Sequence, residues 1–560
     1  SDLGDWECGL SGKPGFGFGM CIINSTDMIN FFNHIEDLMA GWVTGDNGGD
    51  GCASHGIFVL ESLYIKNINN TVCNLRGTDG GDSALDPSKY LNRIRPSGSG
   101  GLASAFTYYS STSIYSSNNT IFSLTGGNGG FFTVESVPLD GGSGGAAFGF
   151  LTNNSDNLNF SLNQIYNLNG GYCLATCKWG MGTYDIRSGM GGQSSAFYLM
   201  NTKHSSLTQN HISSLNGGIG GFSLNGSIGG NGGLSSSFYL TNSSYISCIN
   251  NFISDLKGGN GGEADLYYFG ILNNSRAGDG GVATSIYGIN SSYITFFNNT
   301  LYNITGGMGG AVVHEHSPTY RIGPAGNGGL ACGTFFTFSN NINLTSNLLY
   351  DIFGGDGGSI CEVDYGYGGN GSDAMGIYYN NSTSTYNYNN NVSEIYGGTF
   401  GLGRTGGING TTGDAFGFSL DNTNSSLSYL NYIYCENNSD NGSENDWYYA
   451  YTGNFWSYYS GVDLNDDLRG DDPYFLNGTA GNYDPYPIWN DGDQAAPFII
   501  FHSLSSNKFG EIAPSITFTI RDLNLNLTWY CIEGITSNIT FAGDTITINQ
   551  TLWDTLLEGT

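Results

Sequence analysis

A nineteen-residue phrase recurs ten times between Met20 and Glu436. It ends in Asn-x-(Ile/Val/Leu)-x-x-(Leu/Ile), and every copy but the last runs into glycine; the last copy has Glu436 at the final apolar position. The phrase keeps its length, whereas successive Asn residues are 37 to 49 apart, so the variation lies in the glycine-bearing segments. Such a repeat predicts a stack of similar structural units. The Asn residues, called the ladder Asn below, are Asn33, Asn70, Asn119, Asn163, Asn210, Asn251, Asn299, Asn347, Asn390 and Asn431.

The period inside the phrase is two, because Phe238 and Leu240 alternate with Tyr239 and Thr241. Side chains two apart point to the same side of a strand, and the 90 glycines argue against helices. We therefore predict an all-β fold, a parallel β-helix of about ten coils. Stacking places each ladder Asn above the previous one, where the amides bond along the axis. A bulky apolar residue stands thirteen positions before each ladder Asn, except before Asn347, where Phe336 is two residues closer. We expect these residues to form an inner ladder. The nine that keep the spacing are Met20, Ile57, Phe106, Phe150, Phe197, Phe238, Ile286, Ile377 and Phe418.

Most copies carry two glycine clusters; for example, Gly126–Gly130 is followed by a second cluster at Gly141–Gly145. We interpret each pair as the outward and return legs of an arm with a variable tip. Stacked legs without side chains can approach closely, either as a polyglycine II-like layer or as a flat extra sheet. Flexible loops are the alternative, since glycine-rich tracts are usually flexible. The regular pairing favours ordered arms.

Composition limits the partners of this chain. Lys plus Arg number 16 and Asp plus Glu 47, a net charge of −31, which excludes nucleic acid. No apolar run is long enough to span a membrane. Charged residues make up only 11 % of the chain and aromatic residues 14 %, a composition suited to surfaces that pack against copies of themselves.

The 11 cysteines are an odd number, which leaves at least one thiol free or bonded between chains. Cys248 occupies an inward position where other copies have Leu207 or Phe296, so we expect a buried thiol there. Four other cysteines are candidates for disulfides between neighbouring coils or neighbouring molecules: Cys173, Cys177, Cys332 and Cys361. The pairing does not follow from the sequence.

We divide the chain into a solenoid at 1–436, a cap at 437–495 and a partial immunoglobulin-like β domain at 496–560, where Ile516–Ile520 alternates. The cap contains oxygen side chains at alternate positions, a spacing that suits a Ca²⁺ loop; a solvated acidic turn is the alternative. The candidate ligands are Asp463, Asn465, Asp467 and Asp471. The triplet His314–His316 could bind a metal, although an exposed arm tip explains it better.

The phrase from Phe238 to Ile253 resembles the NosD-like parallel β-helix repeats of archaeal surface proteins and carbohydrate-active proteins. The order Gly-Asn-Phe-Trp-Ser, Asp-Pro-Tyr and Asp-Pro-Tyr-Pro between Gly453 and Pro487 is similar to the end of such repeats. With its paired glycine arms, the chain looks most like the β-solenoid subunit of a methanogen proteinaceous sheath. That resemblance implies an extracellular location and amyloid-like assembly of many copies into hoops around cells.

We weigh three functions. The first is a structural, non-enzymatic subunit of a sheath or surface layer. The second is an enzyme that degrades polysaccharides, which requires clustered acids with Arg or Lys on one face. The repeated positions are instead Asn, Ser and aromatic residues, and Asp265 and Asp364 stand unmatched. The third is binding of cell-surface glycans by exposed tyrosine stacks.

Overall fold

The computed structural model is a nearly all-β chain built on a parallel β-helix, as predicted. Asn465, Asp364 and His314–His316 lie outside the residues that it describes. Those residues are 15–41, 49–84, 97–134, 140–174, 176–178, 187–224, 228–265, 276–313, 323–361, 366–404, 406–463, 467–489, 498–504, 513, 515–521, 528–530, 539–541, 545–547 and 550–554.

Each coil contributes a strand to each of three faces, and every strand pairs in parallel with its counterpart in the next coil. Phe197, for example, is in register with Phe238, and Phe238 with Ile286. The first face consists of Gly17–Ile23, Ser54–Leu60, Ala103–Tyr109, Ala147–Asn153, Ser194–Met200, Ser235–Thr241, Ala283–Ile289, Ala331–Thr337, Ala374–Asn380, Ala415–Asn424 and Asn437–Ser443.

In each coil the strand of the second face follows that of the first face directly in the sequence. Ala415–Asn424 is long enough to pair on both faces. Its strands are Ile29–Phe31, Lys66–Ile68, Thr112–Ser117, Asp156–Ser161, Lys203–Thr208, Ser244–Ile249, Ser292–Phe297, Asn340–Thr345, Thr383–Tyr388 and Leu427–Tyr429. The third face consists of His34–Ile35, Thr71–Cys73, Thr120–Thr125, Gln164–Asn169, His211–Asn216, Phe252–Lys257, Thr300–Thr305, Leu348–Phe353, Asn391–Ser393, Ile395–Tyr396, Tyr432–Tyr434 and Phe455–Trp456.

The arms form a fourth set of short parallel strands beyond the glycine legs. They are Ser83–Ala84, Phe132–Val134, Thr176–Lys178, Ser223–Leu224, Ala264–Asp265, Val312–Val313 and Ile360–Cys361. A small apolar cluster, which includes Ala264, Val312 and Ile360, lies at this sheet. The arms therefore carry regular pairing and a core of their own.

The predicted inner ladder forms the core of the coils. All of its members except the partly buried Met20 have no exposed surface. Aromatic rings of successive coils stack, with centroids 4.9 Å apart between Phe106 and Phe150 and again between Phe150 and Phe197. Cys248 is buried between Leu207 and Phe296, as predicted.

Backbone conformation at the corners repeats from coil to coil. In the coil that starts at Ser235, four residues have positive φ: Asn242 at 48°, Tyr245 at 57°, Asn250 at 54° and Asp255 at 57°. The first corner lies at Asn242, between the first and second faces, and the second corner at Asn250, between the second and third. Because Asn and Asp tolerate the left-handed region better than most residues, this geometry accounts for much of the Asn in the sequence.

Parallel pairing continues past Glu436, where we placed the end of the solenoid. Asn437–Ser443 joins the first face and Phe455–Trp456 the third, so an eleventh, shorter turn without an arm follows the ten repeats. An antiparallel pair, Tyr474–Phe475 with Tyr483–Asp484, comes next. The compact unit that holds the solenoid extends to Val462 and includes Gly470–Ile488.

The second compact unit comprises Asp463–Arg469 and Trp489–Thr560. Phe498–Leu504, Ser515–Arg521 and Thr545–Thr547 form one antiparallel sheet, Thr528–Tyr530 pairs with Ile539–Phe541, and a short helix spans Gln550–Trp553. The immunoglobulin-like interpretation stays a prediction. In the described part of the chain, no helix combines the length and the apolar character needed to cross a membrane.

Candidate functional site: corner ladders and glycine arms

The ladder Asn residues form one continuous line of hydrogen bonds along the second corner. Each side-chain amide Nδ2 donates to Oδ1 of the ladder Asn in the next coil, at 2.9–3.0 Å from Asn33 to Asn431. The same Oδ1 accepts the backbone N–H of the preceding ladder Asn, as where Asn210 N donates to Asn251 at 2.9 Å. The ladder thus satisfies corner backbone groups that would otherwise be buried without partners.

The ladder ends on a buried carboxylate that the sequence did not single out. Asn431 Nδ2 donates to Asn454 Oδ1 at 2.9 Å, and Asn454 N donates to Asp484 Oδ2 at 2.6 Å. The Trp456 indole N–H and the Tyr486 backbone N–H also donate to Asp484, at 2.9 and 3.0 Å. Burial raises the pKa of Asp484 to about 6 even though these donors favour the charged form. Asp484 therefore accepts the backbone N–H of Asn454, the last residue of the ladder.

A second ladder, of Ser and Thr, follows the first corner. The backbone N–H of one member donates to the hydroxyl Oγ of the next from Ser25 to Ser155 and again from Thr202 to Ser382, for example Ser243 to Ser291 at 3.3 Å and Ser291 to Ser339 at 3.2 Å. Its other members are Ser25, Ser62, Ser111, Ser155, Thr202 and Ser382. We did not predict this hydroxyl ladder from the sequence, although the recurring Asn-Ser or Asn-Thr pair is its signal.

Another buried carboxylate lies at the C-terminal end of the first-corner column. Asp440 has no exposed surface and accepts hydrogen bonds from the side-chain amide of Asn445 at 2.8 Å and the indole of Trp447 at 2.9 Å. Asn445 also donates to the carbonyl of Thr423, the residue that follows Ser382 in the first-corner column, at 2.9 Å. Each corner therefore ends on an aspartate that binds a tryptophan N–H.

The glycine legs are ordered, and outward and return legs alternate in one hydrogen-bonded line. Gly281 of a return leg donates its N–H to Gly259 at 2.7 Å, Gly307 of the next outward leg donates to Gly281 at 2.9 Å, and Gly329 donates to Gly307 at 2.7 Å. The same alternation runs from Thr78 to Gly413. Main-chain hydrogen bonds thus connect the glycines of successive legs, and side chains between the glycines add further bonds, as where Met308 N donates to Asn260 Oδ1 at 3.2 Å.

Within one leg, the bonding has a period of three. Gly258 and Gly261 donate to the next outward leg, at Thr305 and Met308, whereas Gly259 and Gly262 donate to return legs. The polyproline II type of helix has three residues per turn and no internal hydrogen bonds, so its backbone groups are free to bond to neighbours on several sides. Among the three arm structures considered, this pattern is that of a polyglycine II-like layer, followed by short strands farther out.

At most positions of this layer only glycine fits, although Thr78 and Ser372 take part in the line. A Cβ on Gly307 would overlap the carbonyl oxygen of Gly259, and a Cβ on Gly259 would overlap that of Gly218. The residue that follows the first glycine pair of an outward leg differs from coil to coil: Asn128 is buried, whereas Tyr172 is 48 %, Ile219 52 % and Met308 45 % exposed. These three exposed apolar residues are called the arm row below, and Asn260 lies between Ile219 and Met308 in it.

Aromatic side chains also stack on the outer surfaces of the coils. Tyr198, Tyr239, Tyr287 and Phe335 form a half-buried stack on the first face with centroids 4.7 to 5.2 Å apart. Tyr245 and Tyr293 stack at 4.6 Å after the first corner and are half exposed. Next to them, the His204 ring stacks on Tyr245 at 5.0 Å and its Nδ1 lies 2.9 Å from Asp156 Oδ1.

The candidate disulfide cysteines do not meet in the described residues. Cys332 has no exposed surface, the buried Cys173 donates its S–H to the Leu174 carbonyl, and Cys361 is exposed in an arm strand; all three are free thiols. The Cys177 side chain lies outside the described residues. Of these three thiols, Cys361 is therefore the one that can form a disulfide with another molecule while the coil stays folded.

The acidic loop is divided between the two compact units. Asp463 and Asp467 belong to the second unit, where Asp463 accepts the N–H of Leu468 at 2.8 Å and Asp467 accepts that of Arg469 at 3.1 Å. Asp471 belongs to the first unit. Calcium binding by this loop stays a prediction.

No protein-family model and no curated protein matches this chain. Similar solved structures include the A-modules of the mannuronan C-5 epimerases AlgE4 and AlgE6 of Azotobacter vinelandii, and PfbA, a surface adhesin of Streptococcus pneumoniae. Their identities are 10, 8 and 10 %, and their TM-scores 0.19, 0.19 and 0.15. The alignments cover 66, 69 and 74 % of this chain and 87, 90 and 84 % of the others. Likenesses this weak carry no functional argument, and the fold rests on the strand pairing itself.

Proposed function

We propose that this chain is a structural subunit that assembles with copies of itself into an extracellular sheath or a surface-layer-like envelope. The alternating glycine layer carries the proposal. Ordering glycine is entropically unfavourable, and the chain has 90 of them. The layer that many of these glycines form presents main chain rather than catalytic side chains, and it connects successive coils along the solenoid axis. Such an arrangement would make the stack of coils resistant to deformation.

Two surface properties support association between copies. The arm row exposes Tyr172, Ile219 and Met308 on a layer whose other positions are mostly glycine. Charged residues make up only 11 % of the chain, so much of the surface that copies would bury is uncharged, and the net charge of −31 is the term that opposes association. Solenoids joined side by side through their arms would form a sheet or hoop.

Sedimentation velocity of the purified full chain over a concentration series tests this proposal. We expect reversible growth beyond the monomer, and weaker association for the double variant Ile219→Asp/Met308→Asp because charge is added to the arm row. The double variant Leu162→Asp/Phe338→Asp is the matched control, because it adds the same two charges at exposed corner residues with φ of 56° and 50°, which Asp tolerates. A chain that stays monomeric at every concentration would contradict the proposal.

The alternative function is binding or degradation of a cell-surface polysaccharide, and the exposed Tyr245–Tyr293 stack favours it. Aromatic faces of this kind pack against sugar rings, and the neighbouring Asp156–His204 pair could act on a bound sugar. Calorimetric titration with acidic and neutral polysaccharides, followed by an assay for new reducing ends, tests this function. Tyr245→Asn should abolish binding, whereas Tyr64→Asn, at the same corner position in an earlier coil, should not.

A further inference from the structure

A compact group of metal-ligating side chains lies at the N-terminal end of the third face. His34 Nε2, Glu36 Oε2 and Cys73 Sγ all lie within 4.8 Å of one another, and the described residues contain no other such group of three His, Cys, Asp or Glu side chains. His34 Nε2 is 3.0 Å from Glu36 Oε2. None of the three residues takes part in the ladders or the glycine layer.

Strand register brings these residues together. His34 pairs with Thr71 and Ile35 with Val72, so Glu36 comes beside Cys73 in the neighbouring coil. Val72 has no exposed surface and faces the core, which places Cys73, one residue on, on the outer side. The site is therefore built across two coils by the pairing of rigid backbone.

The environment of the thiol differs from that of an exposed cysteine. Cys73 is only 2 % exposed, and Phe122 of the following coil is in register with it. The His34 and Glu36 side chains, by contrast, are 55 % and 56 % exposed. The thiol is thus largely covered, whereas the imidazole and the carboxylate beside it are open to solvent.

We infer that His34, Glu36 and Cys73 bind a single Zn²⁺ or a similar borderline transition-metal ion that pins the first coil to the second. A thiolate, an imidazole and a carboxylate are the ligand types of zinc, and water would fill the fourth position. Zinc bonds of about 2.0 to 2.3 Å place the ligand atoms of a tetrahedral site about 3.3 to 3.6 Å apart, so small side-chain rotations suffice.

Electrostatics around the thiol also favour a cation. The negative charges of Glu36 and Asp37 lie close to the sulfur and attract a positive ion. A thiol binds a metal ion as the thiolate, so its proton is released to solvent as the sulfur–metal bond forms.

Titration of the metal-free, reduced full chain with Co²⁺ tests the inference, since Co²⁺ reports its ligands by absorption. We expect one equivalent to produce thiolate-to-cobalt charge transfer and the visible bands of a tetrahedral ion, both removed by Zn²⁺. His34→Ala and Glu36→Gln change exposed residues and leave the coil folded, and each should weaken binding by at least about tenfold. Cys73→Ser should abolish the charge-transfer band.

The matched control is His204→Ala, which removes another exposed histidine 2.9 Å from a carboxylate, in a place where no cysteine completes the group. It should bind Co²⁺ as the unaltered chain does. Absence of the charge-transfer band, or a band that survives Cys73→Ser and therefore comes from another thiol, would overturn the inference. Such a result would leave His34 and Glu36 as a surface ion pair.

Discussion

At the scale of the residue, this fold depends on positions where few residue types are tolerated. Asn24, Asn154, Asn201, Asn242, Asn290, Asn381 and Asn422 have φ between 46° and 51°, and they turn the first corner. The ladder Asn at the second corner have a different role, because they are buried and hydrogen-bonded to one another. Asparagine is thus abundant for two separate reasons, backbone conformation and satisfaction of buried polar groups.

Replacing one ladder Asn should open the second corner. Asn251 Oδ1 accepts from both the backbone and the side chain of Asn210, and Asn251 Nδ2 donates to the Leu207 carbonyl at 2.8 Å. Asn251→Ala leaves these buried groups unpaired, so we expect a local destabilisation of about 3 kcal/mol or more. Hydrogen exchange of the strand Phe252–Lys257 would report it. Asn250→Gly, which keeps the left-handed conformation at an exposed corner, should change exchange far less.

A histidine should make one early coil sensitive to acid. His55 is 5 % exposed, its Nδ1 lies 2.9 Å from Thr107 Oγ1, and burial lowers its pKa from 6.5 to about 4. A lowered folded-state pKa means that the stabilisation is complete above pH 6.5 and is lost as pH falls from 6.5 towards 4. The full loss amounts to about 3 kcal/mol. We expect exchange of Ser54–Leu60 to accelerate over this range.

His55→Phe supplies the comparison for the pH dependence. Phe148 occupies the same register position two coils later, so the first face accepts phenylalanine there. The variant should lose the extra acid sensitivity of Ser54–Leu60 while keeping the contributions of the other histidines. Equal pH dependence in both proteins would show that His55 is not responsible.

At the scale of the element, one first-face strand departs from the repeat, and the strand of the preceding coil compensates for the change. Phe336 is in register with Gly288, and Thr334 with Ile286. A Cβ on Gly288 would overlap the Phe336 ring, so the displaced ring fills the space that this glycine leaves in the preceding coil. The sequence shows that Phe336 is out of step. Only the register between coils shows why.

The glycine layer should be intolerant of a single methyl group. Gly307→Ala would force Cβ against the Gly259 carbonyl, which itself accepts the N–H of Gly281. We expect about 1–3 kcal/mol of destabilisation and faster exchange of the amides of Gly281 and Gly329. Met308→Ala is the matched control: it is the adjacent residue, 45 % exposed, and should stay within about 0.5 kcal/mol. Equal effects of the two changes would contradict the close-packed layer.

The sequence predicted the strands better than it predicted the arms. Period-two alternation and a fixed phrase length define the coils, because the side of a strand on which a residue lies follows from its immediate neighbours. The alternation of outward and return legs depends instead on contacts between legs of different coils. The glycines of a run such as Gly258–Gly262 have no side chains that could specify those contacts. The eleventh turn was missed because its ladder residue, Asn454, stands only 23 residues after Asn431 with no arm between them.

At the scale of the whole molecule, hydrogen-bonded columns run through the solenoid from coil to coil. The Asn ladder and the glycine layer are parallel to the strand-pairing direction, and two buried aspartates, Asp440 and Asp484, terminate the corner columns at the C-terminal end. The first compact unit is therefore closed at that end by acceptors and by Trp447 and Trp456. A capped solenoid is better suited to joining copies side by side than end to end through this end.

The most direct test of the central claim is electron microscopy of the concentrated full chain, combined with diffraction from aligned material. We predict ordered sheets or hoops of laterally packed solenoids, with a reflection near ~4.8 Å along the solenoid axis, and disruption of this order by Ile219→Asp/Met308→Asp. Separate, monodisperse particles that bind or cleave a polysaccharide, with no ordered material at any concentration, would contradict the account.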